Sequence, residues 1–380
     1  MDILFLALDV DLRLDRGDAI HTRGIASSWA RAGHRVHLVV GGDGDGRGIP
    51  GVHITVRPVR GDLAILGCVK EVARFFRPDV IYERRFSPKI SMTVSTVTGI
   101  PFAVEYNGIV DEEAAMQGRP LPNTRTRRLK TAVRVRMLRR AAAVVTVTEG
   151  LREIIIQRYG VDPERVFVAE NGVDADLFRP MDRAEARASL GLPSGPLVCY
   201  VGNLVRWQGL DTLIQAMKAL PRTVRLILVG DGPSRDHLRR RVEELGLGRR
   251  VQFAGVVPHE KVPRYIAAAD ACAASFSSER NLKSGVSALK VMEYLACGRP
   301  TVVTAVPGAA ELVKSSGCGL VVPPEDPNAF GAALAEVIQD PIYLAAALRA
   351  SDFVRRERSW NRTAATVLGV FQKIVQDASS

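Results

Sequence analysis

No stretch of this chain is apolar for long enough to cross a bilayer as a helix. Tracts such as AAAVVTVT, from Ala141 to Thr148, fall far short of the roughly 18 residues that a spanning helix needs. The opening MDILFLALDVDLRLD has no basic leading region and carries early acids, so it reads as a first strand, not a secretion signal. Cysteine is scarce. The five residues Cys68, Cys199, Cys272, Cys297 and Cys318 are odd in number and have no paired spacing. That argues against a disulfide framework or a zinc site and fits a reducing, cytoplasmic location. Aromatic residues make up 6% of the chain and are not interleaved with basic runs as single-strand nucleic-acid readers require. The net charge of +11 is therefore read without a nucleic-acid partner.

At 380 residues and 47% hydrophobic content, the chain is too long for one ordinary core, and two domains are expected. Split near Pro180, the first part holds 27 basic and 22 acidic residues and the second 25 and 19, so the charge is shared and there is no basic tail. One segment stands apart. RTRRLKTAVRVRMLRR, from Arg125 to Arg140, carries eight Lys or Arg and no acid. Such a segment suits an anionic surface or acidic ligand, or is an ordinary solvated helix face.

Short apolar strands alternate with helical patterns throughout. DILFLAL, RVHLVVG, DVIYER, PFAVEY and AAVVTVT are strand candidates before Pro180, and PLVCYVGN, RLILVG, VQFAGV, ACAAS, TVVTA and GLVVP after it. Strand–helix alternation implies parallel sheets covered by helices on both faces. Two complete series imply two doubly wound α/β domains, which bind ligands at the carboxyl ends of their strands. GRGIPG, from Gly46 to Gly51, matches a dinucleotide fingerprint only literally. It follows a Gly/Asp loop and precedes a strand, whereas the fingerprint needs a strand before it and a helix after it.

SALKVMEYLACGRPTVVT, from Ser287 to Thr304, reads as a helix, a sharp stop at Gly298 and Pro300, and a β-branched strand. Lys290 and Glu293 share one face of that helix. An exposed ion pair is the plain reading. With this stretch in view, the chain resembles the retaining, nucleotide-sugar-dependent glycosyltransferases of family 4, which have the GT-B fold. The resemblance runs in order through GDAIHTRGIASSWARAGHRVHLV, YERR, VEYNG, RRAAAVVTVTEGLRE and ENGVDADLFRP. It continues through YVGNLVRWQGLDTLI, LVGDGP, VQFAGVVPHEKVPRYIAAAD, LKVMEYLACGRPTVV and GLVVPPEDP.

The resemblance implies two Rossmann-like domains facing a deep cleft. Residues 1–178 would form the acceptor-binding domain and 179–358 the nucleotide-sugar-binding domain, with a helix over 359–380 packing back toward the first. It assigns Glu293 to the ribose diol of the donor, since a carboxylate accepts two hydroxyl hydrogen bonds at once. It places Ser284, Gly285, Val286, Ser287 and Ala288 at a helix start near Ser284 or Ser287, facing the donor diphosphate. Lys290, one turn in, would add charge to the same phosphates. Val257 would lie near the base.

This sequence departs from the broad family at three positions. Gly285 stands where many members have a Glu that touches the transferred sugar, and Asn203 and Gln208 stand where many have Arg and Lys. The loop VRWQG and the Lys-x-x-Glu-Tyr helix together fit a subgroup, in which Arg206, Lys283 and Lys290 would replace the missing cations. In the amino-terminal domain, Gly17 would permit close approach to the donor phosphate, and Asp18 would cap its helix or bind a hydroxyl. His21, Glu105 and Asn107 would contact sugar or acceptor. Asn171-Gly172 would supply turn geometry. Glu112 and Glu113 are expected on a loop.

The implied reaction moves a hexose-like sugar to a hydroxyl acceptor, lipid-linked, glycan or small-molecule glycoside, with retention. No cofactor and no divalent metal are required, because basic side chains and helix amino termini stabilise the leaving diphosphate. Residues 125–140, with Leu129, Val133, Met137 and Arg140 along one face, suit an anionic membrane surface. Two rivals are a catalytically silent nucleotide-sugar-binding paralogue and a GT-B nucleotide-sugar epimerase.

Overall fold

The near-continuous apolar runs of the sequence become strands buried on both faces, as parallel sheets require. In the computed structural model, which describes residues 1–42, 48–57, 61–84, 88–109 and 124–379, the chain forms two units. One comprises residues 1–172 and 360–380, the other 173–359.

The first unit holds β1 (Asp2–Ala7), β2 (Arg35–Gly41), β3 (Val52–Arg57), β4 (Val80–Arg84), β5 (Phe102–Tyr106), β6 (Ala143–Thr146) and β7 (Val166–Val168). They form one parallel sheet in the order β3-β2-β1-β4-β5-β6-β7. On one face lie the helices Gly17–Arg31 and Trp360–Ser379, with Trp29, Val367 and Phe371 in the shared core. The other face carries the helices Asp62–Phe76, Lys89–Thr98 and Glu149–Gln157 through Ile65, Val69, Val94 and Ile155. Trp29 is fully buried. Its ring centroid lies 5.6 Å from Phe5, 5.7 Å from Tyr82 and 5.5 Å from Phe371. Its Nε1 donates to the Ala364 carbonyl at 3.1 Å, which gives the one polar atom of the ring a partner. Gly24 faces the indole of Trp360 so closely that a Cβ there would lie 2.5 Å from the ring.

The helix Thr124–Leu138 confirms a helical basic segment but divides its apolar residues. Leu129 and Val133 are 67% and 42% exposed, while Met137 and Leu138 are buried. Arg139 and Arg140 lie beyond the helix end.

The second unit holds β8 (Leu197–Val201), β9 (Arg225–Val229), β10 (Val251–Gly255), β11 (Ala271–Ala274), β12 (Thr301–Thr304) and β13 (Gly319–Val322), in the order β10-β9-β8-β11-β12-β13. These strands are also parallel. The order reverses between β1 and β4 in the first sheet and between β8 and β11 in the second. At such a reversal the connections leave toward opposite faces, which opens a crevice at the carboxyl ends of the strands.

Candidate active site

In the second unit, the loop after β8 and the segment after β11 meet at the reversal point. The loop closes with a short turn, Arg206–Gln208, and Gly209 at φ 63°. A side chain at Gly209 would collide with the Ser275 carbonyl, so the residue lets these two segments touch. Ser275 Oγ donates to the Gln208 carbonyl at 2.9 Å. Lys290 Nζ donates to Gln208 Oε1 at 2.6 Å. The ammonium also sits 4.0 Å from the Tyr200 ring centroid and 5.3 Å from that of Phe276, a cation–π setting that stabilises the charge without neutralising it. Burial pushes the Lys290 ammonium down to about 7, and the negative charge of Glu293 opposes that shift.

Lys290 and Glu293 lie on the helix Leu289–Ala296. Tyr294 fixes that helix to β8 by accepting from the Val201 amide at 2.8 Å. The helix ends at Cys297, with Gly298 at φ 67°, as the stop pattern predicts. Its start differs from the expectation. The preceding segment is a separate helix, Ser278–Ser284, and the chain then passes through Gly285 at φ 65°, ψ 178°. Lys290 is thus in the first turn of the second helix. The backbone values at Gly285 belong to a region essentially restricted to glycine, so a glutamate in this backbone would be strained.

The exposed ion-pair reading is overturned. Glu293 is 5% exposed, with His259 Nε2 at 3.8 Å from its Oε1, and His259 packs against Phe178 at 5.3 Å between centroids. The amide of Val286 donates to the Pro307 carbonyl at 2.9 Å and is not offered to a ligand. Ser284 Oγ donates to the Gly285 carbonyl at 3.1 Å. Ala288 is buried and Ser287 half-buried. Arg206, Asn203 and Lys283 are exposed, and Val257 is half-buried. Of the three nominated cations, Lys290 is the one held at the reversal point by its contacts with Gln208, Tyr200 and Phe276.

The first unit gathers a second polar cluster. Glu105, on the central strand β5, is 2% exposed. Its carboxylate accepts from the Tyr82 hydroxyl at 2.7 Å and from Asn107 Nδ2 at 2.6 Å. His21 Nε2 lies 2.9 Å and Arg84 Nε 3.3 Å from the same group. Burial alone would raise its pKa, but the charges of His21 and Arg84 and the hydrogen bonds from His21 and Asn107 hold it at about 2. Tyr82 shifts the other way: burial and the neighbouring carboxylate push its hydroxyl well above the usual range, so it remains a donor. His21 Nδ1 lies 2.6 Å from Asn171 Oδ1, and its ring meets Trp360 edge-on at 5.2 Å.

His21 is 3% exposed with both ring nitrogens engaged. It and Glu105 are therefore framework, not the contact surface expected from the sequence. Asn107, half-buried at the carboxyl end of β5, remains positioned for contact. Asp18 also differs from its capping role. The cap position is Arg16, which makes no side-chain cap bond, and Asp18 Oδ1 accepts from the Ala19 amide at 3.0 Å. Gly17 faces open space. Asn171 supplies a side-chain bond beyond its expected turn geometry. Arg85, Glu112 and Glu113 lie outside the described residues.

Sequence reasoning gave no role to Tyr82, Arg84, Tyr200, Phe276 or His259. For Tyr82 and Arg84 a signal existed. They alternate on β4 and so share a face, and Arg84 is in register with Glu105.

Two family models match in tandem: Glycosyltransferase Family 4 over residues 16–177 and Glycosyl transferases group 1 over 182–354. Together the two matches span most of the chain, and both are to glycosyltransferases. Curated relatives of this glycosyltransferase include D-inositol 3-phosphate glycosyltransferases. That of Mycolicibacterium paratuberculosis is 30% identical over 257 residues, covering 66% of this chain and 56% of the relative. That of Xylanimonas cellulosilytica is 32% identical over 243 residues, covering 60% and 56%. The chain thus spans just over half the length of these relatives. Among solved structures, sucrose-phosphate synthase of Thermosynechococcus elongatus superposes with a TM-score of 0.78 at 23% identity, covering 100% of this chain and 99% of that one. Anabaena HepE in complex with UDP-glucose gives 0.76 at 23% identity, covering 99% of both. These similarities show the fold: two Rossmann-like α/β domains of the GT-B type.

Proposed function

We propose that this glycosyltransferase moves a sugar from a nucleoside diphosphate sugar to a hydroxyl acceptor, with retention at the anomeric carbon and without a divalent metal. The observation that carries the reading is the placement of Lys290. Its ammonium lies at the reversal point of the second sheet, bonded to Gln208 at 2.6 Å and flanked by Tyr200 and Phe276. A cation fixed there is preorganised for the negative charge that grows on a departing diphosphate. In the first turn of the helix Leu289–Ala296 the Leu289 amide is taken by the Ser287 carbonyl at 2.7 Å, and those of Lys290 and Val291 add donors toward the diphosphate. Glu293, one turn further, accepts the two ribose hydroxyls, with His259 beside it. Arg206, on the turn after β8, and Lys283, in the last turn of the helix Ser278–Ser284, supplement the positive field.

In the proposed step the acceptor oxygen bonds to the anomeric carbon on the face from which the phosphate oxygen departs. The acceptor proton passes to that phosphate oxygen. No pair of catalytic carboxylates, as in glycosidases, is needed. The similar structure of Anabaena HepE is known in complex with UDP and with UDP-glucose, which favours a UDP-sugar as the donor. The acceptor is a sugar, polyol or lipid-linked glycoside. We also place the protein in the cytoplasm, peripheral to an anionic membrane through Leu129, Val133 and the cations around them.

The test is the stereochemistry of the product in EDTA, read from anomeric proton couplings. A product with the donor's anomeric configuration, formed at an undiminished rate in EDTA, supports the reading. An inverted product overturns retention, and loss of turnover in EDTA overturns metal independence.

A further inference from the structure

We propose that Glu105 is a positioning residue: it fixes the side-chain amide of Asn107 so that Asn107 Oδ1 accepts a hydrogen bond from a hydroxyl of the sugar substrate. The inference deepens the transferase reading and rests on it.

An ionised carboxylate can only accept. The 2.6 Å contact between Asn107 and Glu105 Oε1 therefore settles which end of the amide faces inward: the nitrogen does. The oxygen is turned the other way. It is buried and has no hydrogen-bond partner among the described residues. Buried polar atoms are nearly always paired, and an exception marks a place where a ligand or water completes the set. The missing partner must be a donor, and a carbohydrate hydroxyl fits; an anion does not. The position agrees, because Asn107 directly follows β5 at the carboxyl edge of the sheet, where ligands of such sheets gather.

Glu105 is over-determined for this task. Tyr82 at 2.7 Å, His21 at 2.9 Å and Arg84 at 3.3 Å hold its carboxylate from two elements, β4 and the helix Gly17–Arg31. Asn107 is thus held in one orientation by a charge whose acceptor sites are already taken by Tyr82, His21, Arg84 and Asn107 itself. A binding group locked by a supporting shell is the arrangement expected of a site that must be accurate before substrate arrives.

The test is a double-mutant cycle in the full chain, with Glu105→Gln and Asn107→Ala, assayed with the donor that the wild type consumes. If Glu105 acts through Asn107, Glu105→Gln lowers kcat/KM about tenfold in the Asn107 background and less than about threefold once Asn107 is Ala, a non-additivity expected of contacting residues. Melting temperature falls alike in both backgrounds. Equal losses of kcat/KM in both backgrounds overturn the proposal and leave Glu105 a structural residue. A loss already present in donor hydrolysis puts the hydroxyl on the transferred sugar, and a loss confined to transfer puts it on the acceptor. Should Glu105→Gln not fold, Glu105→Asp keeps the charge and withdraws it from Asn107. A second readout needs no turnover. With 15N-labelled asparagine, the Asn107 side-chain pair shows one strongly downfield proton that Glu105→Asp removes, and UDP-glucose perturbs that pair in the wild type alone. An unshifted wild-type pair overturns the proposal, and so does one unmoved by UDP-glucose when the kinetic loss is already present in donor hydrolysis. A wild type that consumes no donor yet shows both spectral effects refutes the transferase reading and not this one.

Discussion

Lys290 should bind a diphosphate and a proton together. Burial brings its ammonium to about 7 from an ordinary 10.5, so at pH 8 about nine-tenths of the unliganded protein carries it neutral. A diphosphate beside the nitrogen restores the charged form, because an opposite charge within about 4–6 Å favours ionisation. Binding of UDP at pH 8 should therefore take up about 0.9 protons per site. UDP affinity should fall about tenfold per pH unit above 7, until the raised pKa of the complex is reached. Titration calorimetry in two buffers of different ionisation enthalpy counts those protons directly. Lys290→Met keeps the length of the side chain and removes the titrating group, so its uptake should vanish. The linkage has a second consequence. Folding lowers this pKa, so the unfolded chain holds the extra proton between about 7 and 10.5. The stability that Lys290 contributes must therefore rise with pH across that window. Proton uptake that is absent in the wild type, or that persists unchanged in Lys290→Met, would refute the reasoning.

Four further outcomes follow from the same geometry. Folding lowers the Glu105 pKa from 4.5 to about 2, so its contribution is complete above 4.5 and is lost as pH falls toward 2. Glu105→Gln should cost on the order of 3 kcal/mol at neutral pH and flatten the acid limb of the wild-type urea-stability profile; an unchanged limb would count against the cluster. Gly24→Ala should drive a methyl into the Trp360 ring, since the Cβ would sit 2.5 Å away, costing about 1–3 kcal/mol in denaturant melts. Gly17→Ala, which meets nothing, should be neutral or slightly stabilising by the same measure. The Leu129→Glu, Val133→Glu double variant should stay within about 0.5 kcal/mol of wild-type stability, because both side chains are exposed. It should nevertheless lose co-sedimentation with phosphatidylserine-containing vesicles; retained binding would sink the membrane assignment.

The fold was legible because its signals are local. DILFLA, RVHLVVG and their counterparts announce buried strands, and the restart after Pro180 announces a second series. The sharp stop at Gly298 was equally readable, since it depends on adjacent residues. The site was less so. Lys290 and Glu293 are three apart in sequence, and spacing alone gave them an exposed pair. The structure separates their roles, because Gln208, 82 residues away, takes the ammonium. His21 and Glu105 are 84 apart, and nothing local to either reveals that they bond to one another. Each looked like a polar group free for substrate. Gly285 read as the loss of a family carboxylate, and only the structure reveals a backbone there that favours glycine.

The central claim is that the second unit holds a nucleotide-sugar through Lys290 and Glu293. It is tested most directly by donor binding and hydrolysis across UDP-, GDP-, ADP- and TDP-sugars in EDTA, for the wild type and Glu293→Ala. The account predicts that one donor is bound and consumed by the wild type, and that Glu293→Ala loses affinity for it by at least about tenfold, the scale of a buried hydrogen-bonded diol. A wild type that binds none of these donors, or a Glu293→Ala protein that binds and consumes the donor as well as the wild type, would contradict it.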